Sequence, residues 1–157
     1  MNWLFRKRSL NHPTFGKLTP FRDGKFWRGR VHFFGPAERR VWVALHAGDG
    51  GDSEPTGDQE RLYLALASRY GAVLPKLLKV LHREYQRVRR CHPSAGRWPD
   101  TADPREMQRV MILDEIWIED PAGQRMVLSY MTKLDKQQHF HVFFRNGKLE
   151  SVAAEHG

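Results

Sequence analysis

Cysteine is almost absent from this 157-residue chain: Cys91 stands alone, so no internal disulfide can staple the fold. No apolar run approaches the roughly 18–20 residues that a membrane-spanning helix needs. No segment recurs at a period of roughly 20–50 residues, which argues against solenoids and propellers. A glycine-rich phosphate loop, a Gly-x-Ser-x-Gly elbow and a His-Glu-x-x-His pair are all missing. The expectation is therefore a protein that is not an enzyme and takes no cofactor.

Apolar and aromatic residues are plentiful, 40% and 11% of the chain, which is too much for general disorder. The length suits one domain, and a chain of this size buries about 70% of its unfolded surface without metals or staples. Lysine and arginine total 26 against 18 acids, a formal charge of +8 that attracts nucleic acid, acidic proteins or anionic surfaces. At the start, Trp3, Leu4 and Phe5 precede Arg6, Lys7 and Arg8. A secretory signal has the opposite order and a longer apolar part, so the reading is no export and a cytoplasmic location. Residues 1–14 read as a flexible basic segment ahead of a single domain over 15–157.

Residues 15–47 read as β structure. Phe15 to Phe21 is a candidate strand closed by Asp23-Gly24. In Phe26 to Phe34, Trp27, Val31 and Phe33 alternate with Arg28, Arg30 and His32. In Arg40 to His46, Val41, Val43 and Leu45 alternate with Trp42 and His46. Period two with one apolar face marks half-buried antiparallel strands. Opposed residues share a face, so a five-residue loop over Gly35 to Arg39 would keep Val31 and Phe33 with Val41 and Val43. Gly48 to Asp58 is an acidic, solvated loop.

Thr56 and Gln59 have the capping-box spacing, and Leu62, Leu66 and Tyr70 share one helical face. Gly71 predicts the end of that helix. A second is predicted from Ala72 to Cys91, with Pro75 in its first turn and a stripe of Leu74, Leu77, Leu78, Leu81, Tyr85 and Val88. Residues 93–104 carry three prolines and read as an irregular connection. Asp103 caps a short helix to about Val110. Strands follow over Ile112 to Glu119, Met126 to Thr132 and Phe140 to Arg145. Asn146-Gly147 predicts a tight hairpin pairing Arg145 with Lys148 and Phe144 with Leu149. Strands grouped apart from helices predict an α+β fold. In that fold a mostly antiparallel sheet of six to seven strands carries two main helices and one short helix on one face.

Candidate chemistry is sparse. His139 and His141 would face one side of a strand, as a metal pair must, but Cys91 and His92 match as further ligands only by type. Sheet-face histidines are the ordinary reading, and no metal site is assigned. As a nucleophile pair Cys91-His92 has no acidic orienter, and adjacent side chains rarely meet. Lys76, Lys79, Arg83, Arg87 and Arg90, spaced by three and four, form one basic helix edge and are the candidate binding residues. Arg89 and His82 lie nearby, and Glu84 is the one acid between Ala72 and His92. Such an edge can track phosphates or meet an acidic protein. Arg28, Arg30, His32, Arg40, Trp42 and His46 form a second candidate patch on the sheet, with arginine and aromatic residues mixed as on a single-strand nucleic-acid platform. Glu115 and Glu119 stand ready to neutralise it if their strand adjoins.

Phe15-Gly16-Lys17-Leu18, Trp27-x-Gly29, Val41-Trp42-Val43, the Gln-containing helix of Thr56 to Tyr70, and the ending His139-Phe140-His141-Val142-Phe143-Phe144 with Asn146-Gly147-Lys148 carry a resemblance. The chain resembles, over about 15–150, a small bacterial α+β family of unknown function. Such families often sit beside toxin genes, so the resemblance implies an immunity-type or other protein-binding role and matches no catalytic residue. Immunity proteins against nucleases tend to be acidic, and a chain at +8 fits an acidic partner better. The expected function is a non-catalytic protein that binds a protein partner. The alternative is a nucleic-acid-binding protein using the basic helix edge.

Overall fold

A computed structural model describes residues 9–33, 39–51 and 53–157, without the side chains of Arg39 and Ser94. The chain folds as α+β. Eight strands lie side by side in sequence order: β1 (Leu10–His12), β2 (Gly16–Phe21), β3 (Phe26–Phe33), β4 (Arg39–His46), β5 (Met111–Ile118), β6 (Arg125–Thr132), β7 (Gln138–Arg145) and β8 (Lys148–His156). Every neighbouring pair is antiparallel except β4 and β5, which run parallel. A parallel pair cannot be joined by a tight turn. The chain between them forms α1 (Gly57–Cys91), two short 3₁₀ segments (Pro93–Arg97 and Pro104–Glu106) and α2 (Met107–Val110).

Two expectations need correction. Among the described residues the sheet has eight strands rather than six to seven, because Leu10–His12 adds a strand inside the segment read as a flexible terminus. Three residues are too few to show periodicity. Residues 1–8 of that segment lie outside the described residues. The two predicted main helices are one continuous helix of 35 residues. Gly71 does not end it, and Pro75 lies inside it. Proline denies a hydrogen bond to the carbonyl four residues earlier, here that of Gly71. Both residues are exposed, so water can satisfy that carbonyl. The apolar stripe runs unbroken past them through Tyr63, Leu66, Tyr70, Leu74, Leu77, Leu81, Tyr85 and Val88, and its burial holds the helix together.

The inward face of the sheet meets that stripe. Val31 lies opposite Val41, and both are buried with Phe33 and Val43. The predicted shared face is thus present, with the pairing shifted by two residues from the one a Gly35-to-Arg39 loop would give. Residues 34–38 lie outside the described residues. Gly29 is where β2 crosses close to β3: a Cβ there would meet Leu18 at 2.7 Å and the Lys17 carbonyl at 2.8 Å. That contact accounts for the Phe15-Gly16-Lys17-Leu18 and Trp27-x-Gly29 pattern, since it lets Phe15 and Leu18 reach the core. At the last hairpin Asn146 (φ 50) and Gly147 (φ 73) take the left-handed turn that pairs Arg145 with Lys148 and Phe144 with Leu149, as expected.

Polar anchors fix the helix on the sheet. Thr56 and Gln59 form the predicted capping box. Gln59, fully buried, also donates its amide N–H groups to the carbonyls of His46 (2.9 Å), the last residue of β4, and Asp120 (3.1 Å), just past β5. Tyr70 of α1 and Tyr130 of β6 join hydroxyls at 2.9 Å in the core. At the far end the Tyr85 hydroxyl donates to the Pro99 carbonyl at 2.9 Å, and its ring stacks on Trp98.

Replacing Gln59 with Leu strands two strand-end carbonyls and the Thr56 N–H, so urea unfolding should show a loss of about 3 kcal/mol or more. Pro75→Ala restores a helical hydrogen bond, and the same measurement should show a gain of about 1–2 kcal/mol.

Candidate functional site

Sheet registers build the site, for α1 covers one face and leaves the other open. On the open face, side chains from adjacent strands line up in rows. One row runs Arg28, Ala44, Trp117, Val127, Phe143; the next runs Arg30, Trp42, Glu115, Ser129, His141. Large and small residues alternate along the first row, and Ser129 is the small residue of the second. Val127 and Ser129 of β6 are small and buried, while their neighbours on β5 and β7 stand half-exposed on either side. The result is a trough of about 440 Å³ along β6. Val127 and Ser129 form its floor. Phe26 and Trp117 line one wall, Phe143, His141 and His139 the other.

Arginines hold the ring-rich side. The Arg28 guanidinium lies 4.3 Å from the Trp42 ring centre and 4.6 Å from that of Phe21. Arg30 is 4.9 Å from Trp42, and Arg22, from the β2–β3 turn, is 4.6 Å from Trp117. Phe26 meets Trp117 edge to face at 5.2 Å. The predicted sheet patch is therefore assembled, and the expected neutralisation is present in half: Arg28 pairs with Glu115 at 3.0 Å, while Glu119 pairs with Arg125 at 3.5 Å. Because arginines already cover the faces of Trp42 and Trp117, this side offers bases less ring surface for stacking than its composition implies.

His139 and His141 face the same side as the alternation requires, their rings parallel and 6.1 Å apart. His141 is held on both nitrogens, with Ser129 Oγ 3.1 Å from Nδ1 and Glu155 Oε2 3.2 Å from Nε2. This serine–histidine–glutamate line was not legible in the sequence, since its members meet only through the pairing of β6, β7 and β8. It can pass a proton. It is poorly set for acyl transfer, because β6 and β7 are interior strands whose N–H groups are spent on neighbouring strands rather than aimed at an oxyanion. Among the described residues, no group of three or more His, Cys, Asp or Glu is placed to hold a metal ion. Cys91 is exposed at the end of α1, and the His92 ring lies on His156 at 5.5 Å.

The basic edge lies on a different part of the molecule. Lys76, Lys79, Arg83, Arg87 and Arg90 are all exposed on α1. Arg87 pairs with Glu84 at 2.6 Å. Among the described residues the other four have no acid within ion-pair distance. Arg89 is used structurally: it donates to the Trp98 carbonyl at 2.8 Å and pairs with Asp100. Among the described residues no helix is long and apolar enough to cross a membrane. No protein-family model matches the chain, and comparison with curated proteins and with solved structures finds none similar to it.

Two groups of the trough carry shifted acidities. Burial raises the Glu115 carboxyl, Arg28 opposes this, and Asp114 adds to it. Burial lowers His141, against the attraction of Glu155. Glu115, higher when folded, contributes stability at acid pH that is lost as pH rises through its folded value. Glu115→Gln should therefore leave thermal stability at pH 7 unchanged or raised despite removing an ion pair, and any gain should vanish at acid pH. A marked loss at pH 7 would show that the pair outweighs its burial. His141, lower when folded, contributes stability that is present above the ordinary imidazole value of 6.5 and is lost as pH falls through its folded value. His141→Gln should flatten the melting temperature across that window.

Proposed function

We propose that the protein is a non-catalytic binding protein that docks a protein partner on the open face of its sheet. The carrying observation is the composition of that face: Phe21, Phe26, Trp42, Trp117 and Phe143, all half-exposed, interleaved with Arg22, Arg28 and Arg30. Aromatic residues and arginine are the types that dominate binding energy at protein interfaces. Their mutual stacking holds the arginines ready, which lowers the ordering cost of association. An immunity-type role is the form of this reading that the family resemblance implies, and the excess positive charge favours a partner that is acidic overall.

The test is reconstitution with a partner captured from the native host. Wild-type protein should form a defined complex that protects the open face from hydrogen exchange, with an interface above about 1,000 Å². Trp42→Ala should weaken it by roughly tenfold or more while circular dichroism stays unchanged. A complex indifferent to Trp42 and protecting only α1 would overturn this placement.

A second reading is favoured by the four cations on α1 that have no acid within ion-pair distance among the described residues. Lys76, Lys79, Arg83 and Arg90, with Arg87, form an edge suited to phosphates. This reading predicts retardation of DNA or RNA that fades steeply with salt and is abolished by charge reversal at Arg83 and Arg87. No retardation at low salt would end it.

A further inference from the structure

The strand registers that build the trough also give it a charge opposite to that of the chain. Asp114, Glu115, Glu119 and Glu155 line it, and among the described residues Arg22 is the one lysine or arginine in the lining. Arg28 and Arg125 answer Glu115 and Glu119 from outside. That leaves Asp114 and Glu155 facing the space: among the described residues neither has an arginine or lysine partner, and Glu155 meets His141 at 3.2 Å through one carboxylate oxygen. Asp114 is there because of an irregularity. The β5–β6 pairing shifts register between Leu113 and Glu115, and the extra residue escapes the in–out alternation of the strand.

The trough width follows from the sheet. β5 and β7 flank β6, so the Trp117 and Phe143 walls rise from backbones about 9.5 Å apart. One flat group between two walls at van der Waals contact needs about 7 Å. The remaining question is the sign of that group, and the same face answers it. Arg28 sits against two rings and a carboxylate, Glu115, in this protein's own structure. The trough offers the same combination of ring faces and carboxylates, and among the described residues no arginine lies over Phe143. We propose that the trough along β6 binds a guanidinium group, held against Phe143 beside the Trp117 ring that Arg22 already covers, and paired with Asp114 and Glu155. The physics is the attraction of a cation to ring faces, strengthened by carboxylates in a partly desolvated concavity. This site does not depend on the docking reading: a small guanidinium compound and an arginine of a bound protein present the same chemistry to it.

The experiment titrates the whole protein with agmatine and, separately, with a terminally blocked pentapeptide carrying one central arginine, followed by tryptophan fluorescence and calorimetry. Saturable one-to-one binding of either supports the site. Tighter binding of agmatine assigns a small-molecule source; tighter binding of the peptide assigns a protein source. Glu155→Gln changes an exposed residue on the edge strand and should weaken binding roughly fivefold or more. Val127→Phe fills the floor and should abolish binding in protein whose circular dichroism is unchanged. Three results would overturn the proposal: no saturable response to either probe, undiminished binding in Glu155→Gln, or binding of the flat anion indole-3-acetate as tight as that of agmatine. The wild-type probe measurement stands even if Val127→Phe fails to fold. Loss of a protein complex in Trp42→Ala with agmatine binding retained would separate the two proposals.

Discussion

One buried amide joins the two halves of this fold. The β4–β5 pair is parallel inside an otherwise antiparallel run, so the chain must leave the sheet, cross it and return. Gln59 fastens that crossing at its start. Its side chain caps α1 and takes up a carbonyl at the end of each parallel strand, so a single residue sets where the helix begins and which strand ends it spans. Gly123 shows how close the fit is. It has a positive φ, and a Cβ there would meet the Asp58 carbonyl at 2.8 Å, so the β5–β6 turn must pass directly against the helix start. With the helix anchored on one side, the other face of the sheet is left for contact with something else.

That open face is ordered without being covered. Its arginines are neither buried nor loose; each of Arg22, Arg28 and Arg30 lies on an aromatic ring. A ring face attracts a cation while leaving part of it wet, so the face avoids the full cost of burying charge. Toward β6 the rows narrow to Val127 and Ser129 and the balance changes from basic to acidic. A chain with a formal charge of +8 thus carries a locally acidic concavity, because net charge is summed over the whole sequence whereas the potential inside a trough is set by the few groups that line it.

Much of the architecture was readable in advance where a short-range rule applied. Alternation placed β3, β4, β5 and β7 within a residue or two of their ends and assigned Arg28, Arg30, Trp42 and His46 to the open face. Asn146-Gly147 set its hairpin, and Thr56 with Gln59 set the helix start. Failures came where local and long-range forces compete. Gly71 and Pro75 are both helix-breaking by propensity, yet ten buried residues along α1 outweigh them. β1 is too short to show alternation and exists because β2 offers it an edge. Of the site, the His139–His141 pair was readable because period two puts them on one side. The link from His141 to Ser129 and Glu155 was not, since Ser129 and His141 are twelve positions apart and strand pairing alone brings them together.

The amino-acid sequence determined which side chains share a face, because alternation and helical spacing follow from backbone geometry that every residue carries with it. It likewise determined the caps and tight turns, which are chemistry between residues a few positions apart. Tertiary structure decided which strands are neighbours, in what register, and which face the helix covers. Those choices depend on contacts between distant segments, and a shift of one residue in any of them would turn a whole row of side chains to the other side. The trough belongs to that second class: Val127 and Ser129 become a floor only because Trp117 and Phe143 happen to stand opposite each other across them.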